Sequence, residues 1–252
     1  MREKYRYSPD RIGQPRPKDW QEGIALTEQE LEAIFLSDDF KTLLTQALRQ
    51  TNSQPEKKAQ EFGFVVSHLS DRRSNRQNGL AQTPSSFFVS DLFRGNENSI
   101  NIYKQFNDYH LCRIYDYYKE PLPVLDFHTH PGGRVAFFSR NDLEAYDANS
   151  IRVNPHLISA MGINRSSHGS VLLISFNNSQ AWRSFNPSAV YEKSSRYYGR
   201  SYSYSNDLAF YIQRDDVYKE SGLNVAQLII DRHTSTIEGV KEASRILTTR
   251  TG

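Results

Sequence analysis

The chain has little of what several protein classes require, beginning with a single cysteine, Cys112, among its 252 residues. One cysteine excludes an internal disulfide framework and any zinc site built from several thiolates. No run approaches the roughly 18 to 20 apolar residues that a membrane helix needs. The charged N-terminus is also not followed by the apolar segment of a signal peptide. We therefore expect a cytoplasmic protein with no membrane partner.

An excess of one charge is also missing. The chain carries 31 basic and 29 acidic residues, a formal net charge of +2. The basic residues are scattered rather than gathered into a stripe, so nucleic acid is not an expected partner. A tract rich in Ser, Tyr and Arg at 194–205 offers rings that stack on nucleic acid. We interpret that tract instead as a surface insertion.

The content of hydrophobic residues is low, at 37%, which indicates that part of the chain lies outside the core. Residues 1–24 are rich in proline and charge and predict an extended arm. We expect one domain over 25–190. Residues 191–252 then form a C-terminal extension whose terminal helices pack on the same domain.

The order of predicted elements favours an α/β fold, a layered domain with a mixed β-sheet flanked by helices. Thr27 and Glu30 form the sequence signature of a capping box ahead of a short helix. Apolar spacing and turn residues predict the remaining elements. The predicted helices cover 38–51, 107–120 (ending before Pro121 and Pro123) and Ser139 to 149. The predicted strands cover 61–69, 85–93, 99–106, 122–127, 156–161 and 170–176. A final helical segment begins at about 224 and has a break near 233–236.

The segment LDFHTHPGGRVAFFSRNDL carries the strongest chemical signal. His128 and His130 stand two apart at the end of a predicted strand, where side chains at i and i+2 point to the same side. Two imidazoles placed in this way can converge on one metal ion. Pro131 ends the strand, and the two glycines that follow allow the chain to turn back sharply.

The helix after this turn supplies a third ligand. Ser139 suits the N-cap position, which places Asp142 in the first helical turn. Two histidines and one carboxylate leave a fourth position open, as a catalytic zinc site requires. Helix capping alone explains Ser139 and Asp142 equally well, and the two roles can coexist.

The pattern resembles the JAB/MPN/JAMM zinc metalloprotease family, whose motif is an upstream Glu, then His-x-His-Pro, then Ser-x-x-Asp. The resemblance covers roughly residues 38–180. It implies an MPN-like fold, similar to the cytidine-deaminase layering, and one zinc ion per chain. The matching residues are His128, His130, Pro131, Ser139 and Asp142.

The upstream Glu of the family corresponds best to Glu61 in EFGFVV, with Glu56 and Glu97 as alternatives. The resemblance implies that Glu61 is the general base and that the Ser139 hydroxyl stabilises the oxyanion. Gly63 stands closer to Glu61 than is usual in the family. Because a shift of one residue on a strand reverses the face of a side chain, the orientation of Glu61 tests this assignment.

The spacing between the second histidine and the serine also departs from the family. Eight residues separate His130 from Ser139, one more than is usual. One extra residue in a surface loop costs little free energy. A longer loop is therefore compatible with the same ligand set.

The resemblance implies hydrolysis of a peptide or isopeptide bond at the C-terminus of a ubiquitin-like protein, in deconjugation or processing. The partner would then be a ubiquitin-like protein or its conjugate, and the chain a deubiquitinase-like isopeptidase. A catalytically inactive MPN-like scaffold remains an alternative.

A metal-dependent amidohydrolase or phosphoesterase is a further alternative, because Asp126, His128 and His130 form an Asp-x-His-x-His sequence. Only 122 residues follow His130, fewer than the roughly 200 that the rest of such a barrel needs. This reading also gives the Ser-x-x-Asp helix no role.

Other histidines carry weaker signals. His110 and Cys112 are spaced like a metal pair, but no further ligand stands near them in the sequence. His156, just before a strand, is a candidate to support a metal ligand. We expect His68, His168 and His233 to be structural or solvent-facing.

Overall fold

The structure is a computed structural model. Several predicted segments fall largely or wholly outside its described part: the arm, the helix at 107–120, the tract at 194–205, and Glu56, Glu97, His110 and Cys112. The described residues are 23–51, 60–71, 86–96, 99–106, 119–131, 138–165, 168–178, 180–195, 216–231 and 233–250.

One mixed sheet of eight strands organises these residues, with strand order β2-β1-β4-β5-β6-β7-β8 and β3 paired to β1. Neighbouring strands are antiparallel except for β4 and β5, which run parallel. The predicted α/β class with a mixed sheet and flanking helices is confirmed. The strands are β1 (Phe62–Asp71), β2 (Ser86–Val89), β3 (Phe93–Arg94), β4 (Lys119–Thr129), β5 (Ile158–Arg165), β6 (His168–Phe176), β7 (Leu223–Asp231) and β8 (Ile237–Glu238).

The first two helices follow the sequence prediction closely. The Thr27 backbone N–H donates to the Glu30 carboxylate (2.9 Å), and the Glu30 N–H donates to the Thr27 hydroxyl (3.2 Å), so the predicted capping box is confirmed. The second helix begins and ends at the predicted residues. The helices are α1 (Glu28–Leu36), α2 (Asp38–Thr51), α3 (Arg140–Arg152), α4 (Ala181–Ser184), α5 (Pro187–Ser195) and α6 (Val240–Thr248).

Each face of the sheet packs against its own helices. On the first face, α1, α2 and α6 bury a large apolar cluster that includes Phe40, Phe64 and Phe127. Each such fully buried side chain contributes about 1.5–3 kcal/mol relative to exposure. The second face carries two smaller clusters. One packs under α3 around Met161 and the other lies around Val65.

The expected strand at 99–106 is wrong, because the structure forms a short helix at 102–106. The Asn101 side chain accepts a hydrogen bond from the Lys104 N–H (3.0 Å), as at a helix N-cap. Ile102 and Phe106, four residues apart, then share one helical face and are both buried. The apolar spacing fits a helix better than the strand we predicted.

The prediction of a final helical segment is wrong for its first half and right for its second half. Residues from Leu223 to Asp231 form strand β7, antiparallel to β6, and only the part after the break, α6, is helical. The buried positions of β7 largely alternate with partly exposed ones, as in a strand. The sequence prediction also missed α4 and α5. The turn at 233–236 is confirmed.

Pro121 and Pro123 both lie inside β4, whereas we expected them to follow a helix ending at 120 and only Pro123 to fall within the strand. Proline lacks an N–H for the ladder and is tolerated in sheets at bulges and edges. The register of β1 against β4 shifts between Val66 and Ser67, next to the Ser67–Pro123 pair. The irregularity accommodates the missing N–H donor of Pro123.

No helix within the described ranges is long and apolar enough to cross a bilayer.

Candidate metal centre

Strand β4 sets the positions of both histidines. His128 pairs with Gly63 of β1 on one side and with Met161 of β5 on the other, and it is buried. His130 follows the strand end, and its N–H still donates to the Gly162 carbonyl (2.9 Å). The sheet therefore holds the backbone of both residues, and their side chains share its second face.

Glycine is required opposite His128 by close approach of the two strands. A Cβ added to Gly63 would lie 2.5 Å from the Phe127 carbonyl oxygen and 2.9 Å from the side chain of Ile102. Both distances are too short for real contacts, so a side chain here would push β1 away from β4.

The N-terminus of α3 delivers the carboxylate. The Ser139 N–H donates to Asp142 Oδ2 (2.7 Å), and the Asp142 N–H donates to Ser139 Oγ (3.2 Å). Ser139 is thus the N-cap of the helix, and Asp142 occupies the third helical position, as predicted. This reciprocal cap fixes the Asp142 carboxylate in the first turn, facing the two imidazoles.

The three predicted ligands meet in space. His128 Nε2 lies 3.3 Å from Asp142 Oδ1, and His130 Nε2 lies 3.1 Å from Asp142 Oδ2. The two Nε2 atoms are 3.1 Å apart. His128, His130 and Asp142 are the group of possible metal ligands found among the described residues.

These separations suit a tetrahedral metal ion. Ligand atoms at about 2.0–2.1 Å from a zinc ion in tetrahedral geometry lie roughly 3.4 Å from one another. The 3.1 Å between the two Nε2 atoms is within a few tenths of an ångström of that edge length, and each nitrogen lies 3.1–3.3 Å from a different oxygen of Asp142. The donor set of two imidazole nitrogens and one carboxylate also fits zinc, and the described residues add no fourth ligand to it.

The close approach of these side chains shifts the pKa values of Asp142 and His128. Burial by itself would raise the pKa of Asp142, but the charges and hydrogen bonds of His128 and His130 outweigh it and hold that pKa well below its usual range. Burial would likewise lower the pKa of His128, but the Asp142 carboxylate, with help from Glu61 and Asp126, raises it. In the metal-free chain the carboxylate and a protonated imidazole therefore stabilise each other.

Glu61 lies on the same face as the histidines. Gly63 pairs with His128, so the same antiparallel register places Glu61, two residues earlier, across from His130. Burial raises the pKa of Glu61, while the charges of His128 and His130 lower it and that of Asp142 raises it. The charges of all three candidate metal ligands thus affect the pKa of the Glu61 carboxyl group. Its unusual spacing from Gly63 does not place its side chain on the other face of the sheet.

A hydroxyl pair ties β1 to the histidine strand. The Phe62 N–H donates to Thr129 Oγ1 (2.9 Å), and Thr129 Oγ1 in turn hydrogen-bonds to Thr51 Oγ1. The Thr51 hydroxyl donates to the Ala47 carbonyl (2.8 Å), so Thr129 supplies the proton between the two hydroxyls. The residue after Glu61 is therefore fixed to the residue between the two histidines, a link that the sequence did not indicate.

Asp126 lies two residues before His128 on β4, on the same face of the sheet. It is almost completely buried, and burial raises its pKa, whereas hydrogen bonds from Ser159 and Tyr103 lower it. The Ser159 hydroxyl donates to Oδ1 (2.6 Å) and the Tyr103 hydroxyl to Oδ2 (2.8 Å). A charged residue inside the buried strand LPVLDF was the signal available in the sequence. Nothing there pointed to Tyr103 as its partner.

The remaining described histidines lie elsewhere, and none joins the ligand group within the described ranges. His156 precedes β5 by two residues, at the end of that strand away from Met161, so it is not placed to support the ligands. His168 and His233 are exposed, and His68 is half-buried.

Comparison with family models, curated proteins and solved structures gives no match to this chain. The resemblance to the JAB/MPN/JAMM family therefore stays a prediction from the motif.

Proposed function

We propose that the chain is a zinc-dependent hydrolase of peptide or isopeptide bonds, with an MPN-like fold. The observation that carries this proposal is the convergence of His128, His130 and Asp142, whose ligand atoms, one from each residue, all lie within 4.8 Å of one another. Such a group can hold one metal ion, and three protein ligands with a fourth position open suit catalysis rather than a purely structural site.

A zinc ion held by these residues supplies Lewis acidity, which lowers the pKa of water toward about 7 and polarises an amide carbonyl. Glu61 accepts the proton of the attacking water and returns it to the leaving amine nitrogen. A carboxyl group whose pKa is raised by burial suits this exchange. The result is a carboxylic acid and a free amine.

Ser139 stabilises the charge that develops on the carbonyl oxygen. Its Oγ accepts a hydrogen bond from the Asp142 N–H, and no described residue is seen to accept the hydroxyl proton. That proton is free to be donated to substrate. One such donor is worth roughly 3–4 kcal/mol of transition-state stabilisation.

The C-terminus of a ubiquitin-like protein is the proposed substrate. This part of the proposal rests on the resemblance of the His-x-His-Pro and Ser-x-x-Asp motifs to the JAMM enzymes, together with the placement of Glu61 beside them. An extended tail can bind such a site as an added strand.

Elemental analysis of the purified chain, paired with a hydrolysis assay on fluorogenic amides of ubiquitin and of peptides, tests the proposal. We expect about one zinc per chain in the wild type and almost none in His128→Ala, since a three-ligand site does not survive loss of one imidazole. Hydrolysis should stop with a chelator and return with zinc.

Glu61→Gln separates the enzyme from an inactive scaffold. This variant should keep its zinc and lose hydrolysis, because the amide cannot accept a proton. Equal metal contents in the wild type and His128→Ala would refute the metal centre. A zinc-loaded wild type without hydrolysis would instead favour the scaffold.

A further inference from the structure

The Thr129 side chain points away from the candidate metal centre, although the residue lies between the two histidines. Side chains alternate along a strand, so the Thr129 hydroxyl lies on the first face of the sheet, against α2. The residue is completely buried. No step of the proposed reaction uses this hydroxyl, yet it hydrogen-bonds to two other elements. Thr129 therefore joins three segments of the chain at the edge of the site.

The hydroxyl makes the contact between β1 and β4 that lies next to Glu61. The backbone register between the two strands ends at His128. One step further along β4, the Phe62 N–H donates to Thr129 Oγ1 (2.9 Å). On the outer edge of β1, the Glu61 N–H and carbonyl bond to the backbone of 95–96. The Thr129 hydroxyl thus sets how closely the Glu61 backbone approaches the histidine strand.

Helix α2 fixes the hydroxyl from the other side. Thr51, the last residue of α2, is buried and donates its own proton to the Ala47 carbonyl (2.8 Å), so its Oγ1 accepts the Thr129 proton. The Asn164 side chain of β5 donates to the Leu48 carbonyl in the same turn of α2. The C-terminal turn of this helix is therefore tied to the sheet, and it orients the Thr129 hydroxyl toward β1.

The two histidines have a separate support. Thr129 pairs with Gly162 of β5, and the His130 N–H donates to the Gly162 carbonyl (2.9 Å). His128 is likewise paired with β5. Loss of the hydroxyl therefore releases the β1 side of the site, where Glu61 lies, and leaves the backbone of the ligands in place.

The position of Glu61 determines how well it can act as a base. A general base must lie within hydrogen-bond reach of the water that it deprotonates, and a displacement of about 1 Å can slow a reaction roughly 100-fold. Without the hydroxyl, the buried Phe62 N–H loses an acceptor, which favours separation of the strand ends. We propose that Thr129 is a positioning residue whose hydroxyl holds Glu61 at the proposed metal centre. The inference rests on the proposed function, in which Glu61 is the base.

The test compares Thr129→Val with Thr129→Ser. The valine removes the hydroxyl and nearly preserves the shape of the side chain, whereas the serine keeps the hydroxyl. In zinc-loaded Thr129→Val we expect kcat for the fluorogenic amide to fall by about 10- to 100-fold and KM to change by less than about threefold. Bound zinc should equal that of the wild type. Thr129→Ser should recover most of kcat.

Ser90→Ala is the matched control on the outer edge of β1. The Ser90 hydroxyl is buried and accepts the Val65 N–H at 2.9 Å, the length of the Phe62 bond. Ser90→Ala and Thr129→Val should both lower stability in urea, but only Thr129→Val should lower kcat.

Thr51→Val tests the link from α2 and serves if Thr129→Val does not fold. It removes the acceptor that orients the Thr129 hydroxyl and leaves the Phe62 acceptor in place. We expect kcat to fall by about threefold to tenfold. The double variant should be no slower than Thr129→Val alone, because Thr51 acts through Thr129.

Crystal structures of the zinc-loaded wild type and Thr129→Val give a readout that does not need activity. The Glu61 carboxylate should be displaced by about 1 Å or more in the variant, with His128, His130 and Asp142 unmoved. Wild-type kcat in Thr129→Val, equal losses of kcat in Thr129→Val and Ser90→Ala, or loss of zinc from Thr129→Val would each overturn the inference. A zinc-loaded wild type without hydrolysis refutes the proposed function instead. The two structures then decide the inference, and an undisplaced Glu61 refutes it.

Discussion

Two helices of this protein begin with the same local motif and differ in what the motif faces. In α1 the Thr27 and Glu30 side chains each accept a backbone N–H of the other, and in α3 Ser139 and Asp142 do the same. The lengths of the reciprocal bonds are also alike, at 2.9 and 3.2 Å against 2.7 and 3.2 Å. Both caps satisfy N–H groups that the first turn leaves without partners.

The difference lies in the tertiary surroundings. The hydrogen bonds of the Thr27 cap are solvent-exposed, whereas the cap of α3 is half-buried and its carboxylate oxygens lie 3.1–3.3 Å from two imidazoles. A capping carboxylate therefore becomes a ligand only where the sheet places other donors opposite it. The capping motif orients the carboxylate, and the side chains around it determine whether it can act as a metal ligand.

The largest expected difference between the two caps is in metal binding. Asp142→Asn and Glu30→Gln both keep an oxygen that can accept the capping bond and both remove one charge. Asp142→Asn should reduce bound zinc from about one per chain to almost none, because the anionic ligand is lost. Glu30→Gln should leave zinc unchanged. Equal zinc contents in the two purified variants would show that the caps do not differ.

A smaller difference is expected between Ser139→Ala and Thr27→Ala. Each removes an N-cap hydroxyl and should lower the free energy of unfolding by about 1 kcal/mol, measured by urea denaturation. Only Ser139→Ala should also lower kcat/KM for the fluorogenic amide, by roughly 100-fold, because an oxyanion donor is lost. Parallel effects on hydrolysis would assign Ser139 to capping alone.

The smallest expected difference concerns the pH dependence of stability in the metal-free chain. The raised pKa of His128 means that its contribution is fully present below the ordinary value of 6.5 and is lost as pH rises through the higher folded value. The raised pKa of Glu61 acts in the same direction above 4.5. The lowered pKa of Asp142 means that its contribution to stability is fully present above pH 3.8 and is lost only as the pH falls into strong acid. Stability should therefore fall as pH rises from about 6.5 into the alkaline range.

Urea unfolding across that range, with chelator present, measures this slope. Asp142→Asn should flatten it because His128 loses the carboxylate that raises its pKa, and Glu30→Gln should retain it. Added zinc should reverse the slope, since imidazoles bind metal in their neutral form. A wild-type slope that rises with pH in the absence of metal would contradict the pairing.

The sequence predicted segments with strong local signals and failed where the signal was ambiguous. The capping box at Thr27, the N-cap at Ser139 and the periodic helix at 38–51 appear where expected, because their hydrogen bonds and apolar faces depend on neighbours within one or two turns. The segment from about 224 to the break was predicted as helix, and residues 223–231 form a strand. Short apolar runs fit either structure, and here pairing with β6 decides between them.

The candidate site divides in the same way. The sequence by itself determined the ligand types and the strand-and-cap arrangement of His128, His130 and Asp142, since i and i+2 on a strand and the third position of a capped helix are local geometry. Only the tertiary structure decided that Glu61 faces the histidines, through the register of β1 on β4. It alone brought Tyr103 and Ser159 onto Asp126. Such contacts join residues distant in the chain, and no local pattern encodes them.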